Sequence, residues 1–208
     1  MRLILILAIV ICLIFTVQNY PPSFDQPAFD RINRVLEWYC DNPPIMDSSM
    51  NWCKELERNS KVIFAEYKTF TQTIHPPLLY SKQISRVSES IDLHRSWKTI
   101  SLKVFNKTTM YCRFFPQTMQ LLKNIPASVI MFSVLEPGTK LLPHTGIYKG
   151  VVRYLLPLVT PKDRKNCCLY VQNREGVTYK HCWKVGRGLL FDDTYLHWVE
   201  NTTDQQRV

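Results

Sequence analysis

Residues 127–191 decide the fold, and their sequence is ASVIMFSVLEPGTKLLPHTGIYKGVVRYLLPLVTPKDRKNCCLYVQNREGVTYKHCWKVGRGLLF. Short apolar and β-branched runs in it predict strands, at residues 127–135, 151–159, 168–171, 177–183 and 189–191. Turn-forming sequences such as Pro137-Gly138 separate these runs. Closely spaced short strands with tight turns are typical of a β-sandwich or a barrel of the jelly-roll kind. The expected fold class is therefore mainly β.

The residues before this stretch predict helices and one more strand. Residues 98–105 alternate between polar and apolar side chains, which is the period of a strand. Pro116 suits the first turn of a short helix that runs through Leu122. Residues 29–39 and 52–64 have apolar side chains at helical spacing. The sequence thus predicts three parts, which are residues 1–20, an N-terminal linker and helical region at 21–96, and a β domain at 97–208.

The N-terminus has the composition of a membrane anchor. Arg2 is followed by residues 3–17, all apolar except for one threonine. This length is near the lower limit for a spanning helix, and no small-residue cleavage site follows it. We therefore favour an uncleaved signal anchor over a removed signal peptide. The first acids, Asp25 and Asp30, come after the run, so the positive-inside rule predicts a single-pass type II protein with its main domain lumenal or extracytoplasmic.

The charge balance favours an anionic partner. The chain has 26 Lys and Arg residues against 17 Asp and Glu residues, a formal net charge of +9. This excess would suit a phospholipid surface, a dicarboxylate cosubstrate or a phosphorylated substrate, or it is simply a solvated basic surface. No basic run is interleaved with aromatic residues, so we do not expect nucleic acid as a partner.

The cysteines and glycosylation motifs leave the compartment open. Six of the seven cysteines lie outside the apolar run, and they either form three disulfides or are buried thiols. None of them has the C-x-x-C spacing, so a zinc site is not expected. Asn106 and Asn201 begin glycosylation acceptor tripeptides, which favours a lumenal domain, although Asn201 lies too close to the expected site to be modified.

Two histidines and two arginines stand out in the β domain. His144 follows a short apolar run, and His197 ends the sequence LFDDTYLH at the far side of a predicted strand. Two imidazoles on neighbouring strands could bind iron(II), although a separation of 53 residues alone is a weak signal. Arg153 lies within an apolar strand, where its charge needs a polar cavity or a salt bridge with Asp192 or Asp193. Arg207 follows His197 by ten residues, and a guanidinium can bind a carboxylate with two parallel hydrogen bonds.

These motifs, in this order and spacing, resemble the aspartyl/asparaginyl β-hydroxylase family from about Trp97 to the C-terminus. The stretches that carry the resemblance are FSVLEPG at 132–138, PHTG at 143–146, GLLFDDTYLH at 188–197 and ENTTDQQR at 200–207. The resemblance implies a double-stranded β-helix, which is a cupin-like jelly roll. It also implies iron(II), 2-oxoglutarate as cosubstrate and O2.

The resemblance assigns roles to five residues. His144 and His197 match the family's metal-binding histidines. Ser133 and Arg207 match the positions that hold the distal carboxylate of 2-oxoglutarate, and Arg153 matches an arginine near its metal-chelating end. His144, His197 and Arg207 are thus the expected catalytic set.

Three positions qualify these expectations. Most 2-oxoglutarate oxygenases have a carboxylate two residues after the first histidine, whereas this chain has Gly146, as the aspartyl/asparaginyl branch does, so water is expected at that metal position. Leu155 replaces a histidine that the family has two residues after Arg153. The family continues with another strand where this chain stops at Val208, so the β domain is expected to lack its last strand as a fragment would.

The implied activity is hydroxylation of a peptidyl aspartyl, asparaginyl or similar residue, with release of succinate and CO2. Asp192 and Asp193 are candidates to support the metal-bound imidazoles or to form a solvent-facing turn. A lipid acyl-chain hydroxylase is an alternative, because the family resembles anchored lipid A hydroxylases. Those proteins have a carboxylate where Gly146 stands, which favours the peptide substrate. A cupin-like binding module without catalysis is the third alternative.

Overall fold

The structure is a computed structural model that describes residues 26–74, 79–80, 96–105, 107–146 and 148–208. In these ranges no helix combines the length and the apolar character that a membrane crossing requires. The apolar run at 3–17 lies outside the described residues, as do Asn106 and His94. The anchor, the type II topology and the three-part division of the chain therefore stay predictions.

Four helices and eleven strands follow one another along the described chain. In order they are α1 (Gln26–Leu36), β1 (Ile45–Met46), α2 (Asn51–Arg58), α3 (Ser60–Ile74), β2 (Leu79–Tyr80), β3 (Trp97–Val104), β4 (Lys107–Thr108), α4 (Pro116–Leu122), β5 (Ile130–Leu135), β6 (Lys140–His144), β7 (Arg153–Leu155), β8 (Cys167–Gln172), β9 (Thr178–Cys182), β10 (Leu189–Phe191) and β11 (Leu196–Asn201). Two 3-10 turns, Met110–Phe114 and Arg164–Asn166, precede α4 and β8.

The strands form three antiparallel sheets. One sheet has the order β6-β11-β8-β9, and a second has the order β1-β10-β7. The third contains β2, β3 and β4, with β5 also paired to β3. Arg207 pairs with Leu135 at the free edge of β5, so the C-terminal residues return to this third sheet. The mainly β class is confirmed. The double-stranded β-helix remains a prediction, which the passage of the chain between sheets supports.

One apolar layer lies between the third sheet and the helices. The buried side chains of α2 and α3 form one continuous stripe at spacings of three and four residues, which are Cys53, Leu56, Ser60, Ile63, Tyr67 and Phe70. This stripe is the apolar face that an amphipathic helix buries. It packs on the alternate side chains of β3 and β5, which are Ile100, Leu102, Phe132 and Val134. Glu66 ties α4 to α3, because its carboxylate accepts hydrogen bonds from the backbone of Gln117 and Thr118.

A second apolar cluster lies inside the β domain. It takes side chains from all three sheets and includes Leu135, Leu141, Leu169, Val171, Trp183, Phe191 and Val199. Because it is shared among the sheets, we refer to it as the interior cluster. The candidate functional residues lie at its edges.

Several sequence expectations are corrected by the structure. The helix expected at 52–64 is two helices separated at Asn59, and the strand expected at 151–159 is reduced to Arg153–Leu155. Pro157 lies two residues after the end of this strand, and a proline cannot donate to a strand ladder. Three disulfides are not formed among the described cysteines: Cys168 pairs with Cys182, and the free thiols are Cys40, Cys53, Cys112 and Cys167.

Candidate functional site

The two predicted histidines lie side by side on neighbouring strands. β6 and β11 pair with His144 directly opposite His197. The centroids of the two rings are 4.2 Å apart, and both rings lie on the same face of the sheet. The structure therefore brings together two imidazoles that are 53 residues apart in the sequence.

A β-bulge places His144 on this face. Leu141 pairs with Val199 and His144 with His197, so β6 takes three steps where β11 takes two. Leu141 is buried in the interior cluster, and in a regular strand the side chain three residues later would point to the opposite face. The extra residue of the bulge turns His144 back to the face of Leu141, as bulges beside functional sites often do.

Backbone hydrogen bonds fix the tautomer of both rings. His144 Nδ1 lies 2.7 Å from the carbonyl oxygen of Leu142, and His197 Nδ1 lies 2.9 Å from that of Tyr195. A carbonyl oxygen only accepts, so each Nδ1 carries the proton and donates it. Each Nε2 then has its lone pair available, which is the state in which imidazole binds a metal.

Burial keeps both rings neutral. His197 is only 3% exposed, and burial, followed by the proximity of His144, lowers its pKa to about 3. Burial also lowers the pKa of His144, against the effect of its hydrogen bond to Leu142. Neutral imidazoles at physiological pH are ready to bind a cation without first losing a proton.

Asp193 fills the space beside Gly146. A Cβ atom built on Gly146 would fall within the volume of the Asp193 carboxylate, and the Gly146 amide donates to the Asp193 carbonyl oxygen at 2.6 Å. Oδ2 of Asp193 accepts from Arg153 at 2.6 Å, whereas the buried Oδ1 has no hydrogen-bond partner. Glycine is therefore required at 146 because the carboxylate of Asp193 approaches so closely.

Arg153 forms the salt bridge with Asp193 that the sequence allowed as one of two arrangements. Its side chain is 45% exposed, so the charge does not lie in an enclosed cavity inside the β domain. Arg153 begins the short strand β7 and pairs with Phe191, two residues before Asp193. This pairing places the guanidinium at the open side of the site, beside the Asp193 carboxylate.

Asp192 pairs with a lysine, whereas Asp193 pairs with Arg153. Its carboxylate accepts from Lys149 at 2.7 Å, and both side chains are almost completely buried. Thr194 also donates to this carboxylate from its backbone amide and its hydroxyl. Asp192 therefore ties the loop after β6 to the turn before β11, while Asp193 faces Gly146.

Arg207 is a buried cation inside the β domain. It is 5% exposed, and its guanidinium carbon lies 4.2 Å from the ring centroid of Trp183. Its Nε has no hydrogen-bond partner, and no carboxylate among the described residues forms an ion pair with it. Burial lowers the pKa of Arg207 to about 10, and Cys167 offers no counter-charge because burial raises the pKa of its thiol to about 11. An uncompensated buried guanidinium is suited to bind an anion.

Two residues that the sequence did not single out lie beside Arg207. Trp183 Nε1 and His181 Nε2 are buried without hydrogen-bond partners, and the two rings meet edge to face. Burial and the charge of Arg207 lower the pKa of His181, which keeps it neutral. Unpaired polar atoms are rare in protein interiors, and here two of them lie beside a third, Nε of Arg207. In the sequence both residues lie in the strand predicted at 177–183, and nothing in that run distinguishes them from ordinary core residues.

Ser133 lies on the same side of β5 as this group. Leu135, two residues later, pairs with Arg207 and belongs to the interior cluster, so Ser133 faces inward as well. Its Oγ accepts a hydrogen bond from Trp97 Nε1 at 2.9 Å, which leaves the hydroxyl proton to be donated. Leu155 also packs against the interior cluster, so an apolar side chain replaces the histidine expected at its position.

A cavity of about 440 Å³ opens beside the loops that carry the site. Its walls come from α1, from the segments after β6 and before β11, and from the β8–β9 turn. Three basic residues contribute to them, which are Arg34, Lys149 and Arg174. Among the described residues no group of three or more histidines, cysteines and acids is arranged to hold a metal ion.

The chain was compared with known proteins. The family model described as aspartyl/asparaginyl beta-hydroxylase matches residues 57–208. An ornithine lipid ester-linked acyl 2-hydroxylase of Rhizobium tropici is 33% identical over 171 residues, which cover 80% of this chain and 58% of that protein. The human aspartyl/asparaginyl beta-hydroxylase is 33% identical over 94 residues, covering 42% of this chain and 12% of that protein. Among solved structures, a Pseudomonas putida prolyl-4-hydroxylase has a TM-score of 0.49 at 12% identity, over 74% of this chain and 94% of that one.

These matches extend well beyond the histidine motifs. The chain spans between about a tenth and three fifths of the length of the two curated relatives named above. The family match covers more than half of the chain and contains His144, His197 and Arg207. This chain belongs to the aspartyl/asparaginyl β-hydroxylase family.

Proposed function

We propose that the protein is an iron(II)- and 2-oxoglutarate-dependent hydroxylase, with His144 and His197 as its metal ligands. The observation that carries this proposal is the pair of neutral imidazoles in register across two strands, each with Nε2 left free by a backbone hydrogen bond at Nδ1. The unpartnered Asp193 Oδ1 suits a cation or its bound water as a neighbour. Two imidazole nitrogens are donors that iron(II) accepts, and water would fill the position that most 2-oxoglutarate oxygenases give to a carboxylate.

Arg207 and Ser133 would bind the distal carboxylate of 2-oxoglutarate. The argument is the uncompensated charge of Arg207, because a carboxylate would pair with it and satisfy its Nε. Trp183 Nε1 is a further donor in the same place. Arg153, held by Asp193 at the open side, would lie towards the metal-chelating end of the cosubstrate.

The chemistry follows from these groups. Bound iron and 2-oxoglutarate would supply the oxidation of the cosubstrate by O2 to succinate and CO2, coupled to hydroxylation of a substrate C–H bond. The residues of this chain orient the cosubstrate and keep the imidazoles neutral. The apolar interior cluster excludes water from the inner side.

The acceptor substrate is proposed to carry a negative charge. Lys149 and Arg174 are already paired with Asp192 and Glu37, so Arg34 is the basic residue of the cavity that would attract a peptidyl aspartyl residue. The family to which the chain belongs favours that class. A lipid acyl chain is the second candidate, because the lipid hydroxylase of Rhizobium tropici matches twice as much of this chain as the human β-hydroxylase does. Incubation with acidic peptides and, separately, with acylated amino-acid lipids would separate the two by which molecule gains an oxygen atom.

The Cys168–Cys182 disulfide supports a lumenal or extracytoplasmic position for the β domain. Disulfides persist in oxidising compartments and are rare in the cytosol. Asn201 does not add to this argument, because its side chain is fully buried and its Nδ2 donates to backbone carbonyls.

The test of the proposal is the variant His197→Ala. We expect it to lose iron(II) binding and 2-oxoglutarate turnover while it keeps its fold, since β11 is held by backbone pairing with β6 and β8 on either side. Succinate release measures turnover, and titration with manganese(II) measures the metal site without turnover. His181→Ala is the matched control, because His181 is also a partly buried histidine but lies away from His144, and it should keep metal binding. Wild-type metal affinity in His197→Ala would disprove the assignment.

A further inference from the structure

Helix α1 has an inner face that seats it against the site. Ile32, Asn33 and Leu36 are partly buried. Asn33 Oδ1 accepts a hydrogen bond from the backbone amide of Lys149 at 2.9 Å, which joins α1 to the segment between β6 and β7. Glu37, at the end of the helix, pairs with Arg174 in the β8–β9 turn at 3.0 Å. The C-terminal half of α1 is therefore held beside the cavity by two contacts.

The outer face of α1 combines exposed basic and aromatic side chains. Arg31, Arg34, Val35 and Trp38 follow at helical spacings of three and four residues, so they lie along one side, and all four are exposed. Hydrogen bonds of the next turn extend the helical path, and they place Tyr39 beside them. Trp38 is 89% exposed, Tyr39 is 62% exposed and Val35 is 52% exposed. These five residues are called the α1 outer face below.

This composition fits a lipid surface. Tryptophan and tyrosine prefer the boundary between lipid headgroups and acyl chains, because one part of each ring is apolar and the other is polar. Arginine on the same helix face is attracted by anionic lipid headgroups. The same residue types also occur at protein–protein interfaces, and the closeness of α1 to the apolar run at 3–17 is what favours the lipid surface.

The α1 outer face adjoins the mouth of the cavity. Arg34 belongs to the outer face and also lines the cavity, together with Asn33 and Glu37 from the same helix. The cavity wall opposite them is formed by Gly146 and Tyr195, which belong to the segments that carry the two histidines. A surface that held α1 would therefore also hold the opening of the site.

The chain that precedes α1 points to the same partner. The apolar run at 3–17 ends eight residues before Gln26. Eight residues reach at most about 28 Å, so α1 stays within that distance of whatever holds the apolar run.

We propose that the α1 outer face docks on the surface of an anionic phospholipid bilayer and holds the mouth of the cavity there. Trp38 and Tyr39 would enter the headgroup region, and Arg31 and Arg34 would pair with anionic headgroups. The proposal concerns the surface of the protein and does not depend on the activity proposed above.

The test uses the full chain, reconstituted into vesicles of phosphatidylglycerol and phosphatidylcholine with brominated acyl chains. Bromine quenches tryptophan emission at short range, so wild-type emission should fall relative to that in unbrominated vesicles. Trp38→Phe keeps an aromatic ring but removes the reporter, and the quenching should disappear. Trp198→Phe is the matched control, because Trp198 is stacked on Tyr170 within the β6-β11-β8-β9 sheet, and quenching should persist in it.

The charge requirement is tested in the same assay. Arg31→Glu/Arg34→Glu should reduce the ratio of docked to undocked protein at least about tenfold in phosphatidylglycerol vesicles. Arg113→Glu/Lys123→Glu makes the same change in net charge at two exposed positions away from α1 and should leave docking unchanged. Equal quenching in Trp38→Phe and wild type would overturn the proposal. Absence of quenching in the wild type would also overturn it, and is the result expected if a protein segment or a second copy covers the helix.

Discussion

Arg207 is a buried cation, and no carboxylate in the part of the chain that the structure describes forms an ion pair with it. The guanidinium stacks on Trp183, its Nε is unpaired, and the neighbouring Cys167 is a neutral thiol. The lowering of its pKa to about 10 corresponds to a cost of roughly 3 kcal/mol for keeping it charged near neutral pH. In the ligand-free protein the buried charge lowers the free energy of unfolding, and a bound anion would stabilise it. Removal of the charge should therefore raise the stability of the ligand-free protein and lower its affinity for an anion.

The variant Arg207→Met separates these two effects. Methionine fills a similar volume without the charge, so we expect the ligand-free variant to unfold with a free energy equal to or above that of the wild type, by up to roughly 3 kcal/mol. Its affinity for 2-oxoglutarate should fall at least about a hundredfold, because charged hydrogen bonds are lost. Urea denaturation and calorimetric titration measure the two quantities.

Arg153→Met is the control for that experiment. Arg153 is half exposed and paired with Asp193, so the same substitution should not raise stability there. Unchanged affinity for 2-oxoglutarate in Arg207→Met would show that the interior guanidinium is not the anion site.

The effect of a substitution at Gly146 should depend on the side chain at position 193. A methyl group at 146 collides with the Asp193 carboxylate, so Gly146→Ala should lower the free energy of unfolding by about 1–3 kcal/mol and weaken metal binding. In an Asp193→Ala background the obstacle is absent, and the same change should cost much less. Urea denaturation of the wild type, the two single variants and the double variant measures this difference. Equal costs in the two backgrounds would mean that Gly146 is needed for its backbone conformation instead.

At the scale of elements, the β8–β9 hairpin is closed by a disulfide. Cys168 and Cys182 lie opposite each other in the ladder, 14 residues apart in the sequence. The bond lies on the face opposite to Leu169 and His181, so it restrains the strand that carries His181 without entering the interior.

Replacement of both cysteines by alanine tests this restraint. Cys168→Ala/Cys182→Ala should lower the free energy of unfolding by about 2–3 kcal/mol, as expected for a loop of this length. Addition of a reductant should destabilise the wild type to a similar extent and leave the double variant unchanged. If the reductant destabilised both proteins equally, its effect would have to come from another source than this bond.

For the whole molecule, several strands were predictable from the sequence, but neither the pairing of the strands nor the presence of β6 and β11, which carry the two histidines, was predicted. The short apolar runs predict β5, β8, β9 and β10 closely, because each run is bounded by turn residues. The limits of β7 depend on Pro157 and on which strand lies opposite, and local alternation does not contain that information. The break at Asn59 is similar, since the buried stripe continues through it without a change of spacing.

The resemblance to the family named five candidate residues, and the sequence did not indicate their arrangement. The separation of His144 and His197 was a weak signal by itself, and the bulge that aligns the two rings arises from the pairing of β6 with β11. Trp183 beside a cysteine on a strand has the pattern of an ordinary core residue, and only its contact with Arg207 gives it another role. The exposure of Arg153 was not predictable either, because an arginine in an apolar run indicates a buried charge when the sheet is unknown.

The bulge in β6 leaves room for the loss of one residue but not of two. In a regular ladder the residue opposite His197 lies two positions after Leu141, whereas His144 lies three positions after it. Loss of one of the two residues between Leu141 and His144 would therefore remove the bulge and keep the imidazole on the inner face, opposite His197. Loss of both would place the histidine one position after Leu141, where the alternation of a strand turns it to the outer face. Among family members, shortening of the strand between these two positions should consequently be limited to one residue.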